Sequence, residues 1–94
     1  MTVVGKKTLV EFARQHADVR PAIAAWTAEV EAAAWKGSQD IKKRFPSASF
    51  IGEGRVVFNI KGNHYRLDVQ IDYLTKVVLV KRIGTHADYD TWKF

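Results

Sequence analysis

Near residue 48 the hydrophobic period of this chain changes from about 3.6 residues to 2, dividing it into a helical half and a strand half. Elements ordered in this way predict an α+β fold, with the helices gathered on one face of a sheet. Upstream of the switch, Leu9, Phe12, Ala13 and His16 recur at i, i+3, i+4 and i+7 and predict a first helix over 6–16. Asp18 is placed to cap a second helix, and Pro21 falls in its first turn, where a missing N–H costs nothing. On that helix Val19, Ile23, Trp26, Val30 and Ala33 share a face, while Glu29 and Glu31 turn outward. Gly37 is read as its end. Ser38 then caps a short third helix, with Ile41 and Phe45 inward and Lys42, Lys43 and Arg44 as a basic run, stopped by Pro46.

Downstream, Val56, Phe58 and Ile60 alternate with Arg55, Val57 and Asn59, and Lys61-Gly62-Asn63 supplies residues that accept positive φ. A hairpin is expected there. Its second strand carries Tyr65, Leu67, Val69, Ile71 and Tyr73 on one face and His64, Arg66, Asp68, Gln70 and Asp72 on the other. Leu74-Thr75-Lys76 turns the chain again, and Val77–Val80 reads as a central strand buried on both faces, ending in Lys81 and Arg82. Thr85, with Asp88 three residues on, is a capping pair for one helical turn holding His86, Tyr89 and Asp90. The expected layout is two to three helices packed on an antiparallel sheet of three to four strands, closed by a short C-terminal helical turn. Ninety-four residues suit one domain, since a chain of this size has material for one core.

The chain contains no cysteine, which excludes disulfides, thiolate catalysis and sulfur-ligated zinc, and agrees with a cytoplasmic site of action. His16, His64 and His86 lack the spacing and carboxylate companions of a metal site, so neither metal nor cofactor is expected. No apolar run approaches the ~20 residues of a membrane span. Fifteen Lys and Arg against ten Asp and Glu give a formal charge of +5, which favours polyanionic partners such as RNA.

Cleaving RNA without a metal requires the ribose 2′-hydroxyl to attack the adjacent phosphate. A group must remove one proton, another must supply one, and cations must neutralise the phosphate oxygens. Arg66 and His64 lie on the open face of the hairpin, Lys81 and Arg82 end the next strand, and His86 and Tyr89 occupy the turn beyond it. If neighbouring strands pair as their turns suggest, these groups converge at one edge of the sheet. Tyr89 and Trp92 equally read as aromatics packed on the sheet, with His86 as a surface residue.

The segment from Phe45-Pro46 through the hairpin motif Phe58-Asn59-Ile60, Gly62-Asn63 and Tyr65-Arg66-Leu67 to Gly84-Thr85-His86 and Tyr89-Asp90 resembles the HigB toxins of type II toxin–antitoxin systems. The resemblance is close over the last half of the chain; the helical half matches in length and pattern. It implies a RelE-like ribonuclease fold, helices on a curved antiparallel sheet, and cleavage of messenger RNA, commonly on the ribosome. It aligns Arg66 with the family's strand arginine, and His86, Tyr89 and Asp90 with its C-terminal motif. Lys81 stands where relatives usually carry Arg, which exchanges a planar fork for a point charge.

On this reading Arg66, His86, Tyr89 and Lys81 are the catalytic candidates, and His86 and Tyr89 are interchangeable between general acid and general base. Lys61, His64, Arg82, Lys42, Lys43 and Arg44 are the candidates for RNA contact, against the plainer reading of solvated loop and helix charges. Asn59 and Asn63 read as satisfying turn backbone. The implied partners are messenger RNA and a HigA-like antitoxin with a helix-turn-helix domain, through which alone operator DNA would be met. The competing reading is a noncatalytic RNA-binding or protein-interaction module on the same scaffold.

Overall fold

A computed structural model describes residues 1–94, all of which are placed. In chain order the elements are β1 (Thr2–Val4), α1 (Lys6–Gln15), a 3₁₀ turn (Ala17–Val19), α2 (Arg20–Ala32), α3 (Ser38–Arg44), β2 (Ser49–Gly52), β3 (Arg55–Ile60), β4 (Tyr65–Asp72), β5 (Val77–Thr85) and α4 (His86–Tyr89). The strands form one sheet in the order β1-β5-β4-β3-β2, so β4 lies at its centre. The α+β class and the period switch hold, with four helices and five strands.

The expected antiparallel sheet of three to four strands is corrected on two counts. Besides β2, β3, β4 and β5 there is β1, and it pairs with β5 in parallel, Val3 opposite Val78. The sheet is therefore mixed. Gly5 makes the sharp exit from β1 into α1, at φ 95°, where an added Cβ would come within 3.2 Å of Val80.

Hydrophobic alternation sets the layers. Val56, Phe58 and Ile60 of β3, Tyr65, Leu67, Val69 and Ile71 of β4 and Val78 and Val80 of β5 face α1 and α2, which contribute Leu9, Ala13, Ile23, Trp26 and Val30. Phe58 is the hub, with Trp26 and Phe45 meeting it edge-on at 5.5 and 5.0 Å between ring centres and Trp35 stacked at 6.3 Å.

Four local readings change. Asp18 does not cap α2, whose N-terminus follows directly from the 3₁₀ turn without a side-chain cap. Its carboxylate instead accepts from Tyr65 Oη and Lys61 Nζ, both at 2.9 Å. Gly37 does not end α2, which stops at Ala32; it precedes α3 in extended conformation. Val77–Val80 is central but not buried on both sides, because Leu79 remains 37% exposed on the face away from the helices. Lys81 and Arg82 do not end the strand, which continues to Thr85.

That continuation contains a β-bulge. Val80 pairs with Val69 and Arg82 with Asp68, so Lys81 is an extra residue in β5. A strand alternates its side chains strictly, and one added residue reverses the parity of everything beyond it. Val80 therefore faces the helices while Arg82, two positions on, lies beside Asp68 on the opposite face.

Candidate functional site

The face of the sheet opposite α1 and α2 carries Arg55, Val57 and Asn59 from β3, Arg66, Asp68 and Gln70 from β4, and Arg82 and Gly84 from β5. In register, Arg66 lies between Asn59 and Gly84. Gly84 leaves room for the chain to fold back: a Cβ there would lie 2.8 Å from Asp88 Cβ and 3.0 Å from Trp92 Cζ2. The return is started by a capping box at α4, in which Thr85 Oγ1 accepts from Asp88 N at 3.1 Å and Asp88 Oδ2 accepts from Thr85 N at 2.9 Å. The expected Thr85–Asp88 pair is thus present at the start of a single helical turn.

Arg66 is 8% exposed yet belongs to none of the ion pairs. Its Nη1 donates to the carbonyls of Asn63 at 2.8 Å and Tyr65 at 3.3 Å. The guanidinium stands 5.3 Å from the centre of the Tyr89 ring. A buried guanidinium is expensive to desolvate, and a carbonyl pair with an aromatic face offsets only part of that cost. The site therefore retains a cation whose charge no protein carboxylate neutralises. Arg66 and Tyr89, singled out separately from sequence, are in contact.

His86 is placed through its backbone. Its N–H donates to the His64 carbonyl at 3.0 Å, extending the β4–β5 ladder past the Tyr65–Thr85 pair. This sets His64 and His86 side by side at the end of the sheet, both exposed, next to half-buried Tyr89. The larger clefts of the molecule are lined by other residues; the two histidines are exposed, whereas Arg66 is buried.

The remaining candidates lie elsewhere or are engaged. Lys81 is exposed, three residues along β5 from Gly84, roughly 10 Å by strand rise. Arg82 donates from Nε to Asp68 Oδ2 at 2.8 Å and from Nη2 to the Lys93 carbonyl at 3.2 Å. Lys61 is paired with Asp18 on the helix side of the hairpin tip. Arg44 is paired with Glu29, and Lys42 donates to the Ala48 carbonyl at 3.3 Å, so the 42–44 run lies by the β2 edge of the sheet. Lys43 is exposed and forms no ion pair. Asn59 donates to the Ser47 carbonyl at 3.4 Å, in line with its expected backbone role, and the Asn63 carbonyl serves Arg66.

Electrostatic perturbation gathers around these pairs. The Lys61 ammonium and the Tyr65 hydroxyl hold the Asp18 carboxyl below its ordinary value, and Asp18 in turn raises the Tyr65 phenol. Asp68 raises Arg55.

As site residues, sequence reasoning missed Asp68, Arg55 and Phe94, and read Trp92 only as an aromatic packed on the sheet. Asp68 is fully buried and accepts from Arg55 Nε at 2.7 Å and Nη2 at 2.6 Å as well as from Arg82. Trp92 and Phe94 lie over these arginines. A signal existed in the hairpin register, since the 61–63 turn places Arg55 diagonal to Asp68. No group of His, Cys, Asp and Glu residues has the arrangement of a metal site.

The fold thus has helices on one face of the sheet and cationic, aromatic and imidazole residues on the other. The sequence matches the family model of the HigB toxin, described as the RelE-like toxic component of a toxin-antitoxin system, over residues 19–92. The chain belongs to the HigB toxin family. Membership makes it a toxin with an antitoxin partner. No curated protein matches the sequence, and no helix is long and apolar enough to cross a membrane.

Proposed function

We propose that this toxin is an endoribonuclease that cuts messenger RNA by transesterification, using side chains alone, as one domain. The observation that carries the reading is Arg66, a buried guanidinium without a carboxylate partner, held against Tyr89, which shares the single turn of α4 with His86. A phosphodiester supplies the missing countercharge, and Arg presents it with two parallel donors. The charge that builds on the phosphate oxygens as O2′ attacks falls where Arg66 can stabilise it.

In this scheme one of His86 and Tyr89 takes the 2′-hydroxyl proton as O2′ bonds to phosphorus. The other protonates the departing 5′-oxygen. The products are a 2′,3′-cyclic phosphate and a free 5′-hydroxyl, so no electron or cofactor is consumed. An imidazole can donate or accept a proton in either role, and the Tyr89 ring is also placed to stack on a base. Lys81, Lys43 and Lys42 supply exposed or half-engaged positive charge for the flanking backbone and His64 a further donor, with Lys61 and Arg44 contributing as outer charges from within their ion pairs. The ribosome is the natural setting for the substrate, the cytoplasm the compartment, and a HigA-like helix-turn-helix antitoxin the partner that carries operator binding.

Mapping transcript ends after induction tests the proposal. Wild type is expected to generate new ends and growth arrest, and Arg66→Ala and His86→Ala to generate neither while remaining folded. Identical end profiles for the three proteins would reject nuclease activity in favour of a noncatalytic RNA-binding module.

A further inference from the structure

We infer that Asp68 is a positioning residue: through Arg82 and Arg55 it clamps the C-terminal segment and thereby sets the Tyr89 ring against Arg66. The function of that placement rests on the nuclease reading above; the clamp itself does not. The starting point is that α4 cannot hold itself. It is a single turn of four residues with none buried, and one helical turn is unstable without outside contacts. Its capping box fixes where the turn begins, not where its far end lies.

The contacts that fix the far end form a continuous series. Asp68, fully buried, takes both arginines, with Oδ1 serving Arg55 and Oδ2 serving Arg55 and Arg82. One carboxylate orients two guanidinium groups and leaves one positive charge in excess. That excess is spread over the tail: Arg82 lies 4.5 Å from the centre of the Trp92 ring and 5.1 Å from that of Phe94, and Arg55 lies 5.4 Å from Phe94. Arg82 Nη2 also donates to the Lys93 carbonyl, fixing the backbone between the two rings. Trp92 meets Tyr89 edge-on at 5.6 Å and 84°, and Tyr89 receives Arg66 on its face. From buried acid to site arginine, no link is missing.

This arrangement explains the bulge in chemical terms. If Lys81 were paired regularly, with no bulge, the side chain of Arg82 would have the parity of the core and could not reach both Asp68 and Trp92. It also separates the arginines by role: Arg66 is left for substrate, whereas Arg82 and Arg55 are oriented by Asp68 to hold the tail.

Arg82→Met removes the charge while keeping a long stem, at a side chain one-third exposed, so folding should survive where Asp68→Asn, made in parallel, could fail. Two readouts are taken on the intact chain. By NMR, the ring-current shift of the Arg66 side-chain protons and their cross-peaks to the Tyr89 ring should be present in wild type and lost in Arg82→Met. With a single-stranded RNA oligonucleotide, single-turnover cleavage should fall on the order of 10²-fold at unchanged affinity, as for a misplaced catalytic group. Trp92→Phe, which keeps a ring for Arg82, should retain both signals. Retention of the ring shift and of a rate within about twofold of wild type in Arg82→Met would overturn the clamp. An equal loss of RNA affinity with the ring shift intact would also overturn it, making Arg82 a phosphate contact instead. If wild type cleaves nothing, the nuclease reading falls and the ring shift alone decides the clamp.

Discussion

The two faces of the sheet are assembled by different physics. Against α1 and α2 the sheet buries aliphatic and aromatic side chains around Phe58, and stability there follows area removed from water. On the other face, five residues of tail cover a fully buried carboxylate and two arginines with Trp92 and Phe94. Order there depends on geometry, because an ion pair out of water repays its desolvation only when its hydrogen bonds are well made. The first face makes the fold through packed area; the second depends on the geometry of a few charged and aromatic groups.

The sharpest way to break this contrast is to cut each face once. Phe58→Ala on the helix side should cost about 3–5 kcal/mol, read as a drop in urea midpoint at unchanged slope. A loss under about 1 kcal/mol would show that the aromatic hub is not what holds the layers together. Arg66→Ala on the tail side should reverse the pattern: cleavage down on the order of 10²–10³-fold, with the urea midpoint unchanged or raised, because a costly buried charge has been removed. A large fall in stability would make Arg66 a structural residue.

Two smaller tests refine the comparison. Gly84→Ala should cost about 1–3 kcal/mol, because the new methyl meets Asp88 and Trp92 and lifts the tail; a neutral outcome would show the tail to be loosely seated. The smallest effect is pH-linked. Since Lys61 and Tyr65 depress the Asp18 carboxyl, its contribution to stability is complete above the ordinary value of 3.8 and is lost as pH falls through the lower folded value. The melting-temperature difference between wild type and Asp18→Asn should therefore be constant near neutrality and shrink in acid below 3.8. A difference that grew with acidity would contradict the assigned direction.

What the sequence discloses tracks how local each feature is. The bounds of α1, the β3–β4 hairpin, the buried Trp26 and the Thr85–Asp88 cap are all written in neighbours within a few turns of each other. β1 escapes because three residues carry no period and its partner lies on a strand more than seventy positions away. Asp18 looks like a helix cap because nothing nearby shows that Tyr65 and Lys61 will arrive to claim its oxygens. Arg66 and Tyr89 could be chosen individually, but their contact, and the engagement of Arg82 by Asp68, depend on a register that the bulge shifts. The family match supports the toxin assignment independently of those contacts.

The extra residue at Lys81 also has an arithmetical consequence. Strand side chains count in twos, and up to Val80 the even-numbered positions of β5 belong to the helix layer, whereas Ile83, an odd one, packs there afterwards. Deleting Lys81 would restore strict alternation with Val80 still opposite Val69 and Arg82 still opposite Asp68, so each side chain would keep its layer; pairing Lys81 with Asp68 instead would exchange the sets beyond Val80, driving the Arg82 guanidinium into the helix layer and Ile83 out of it.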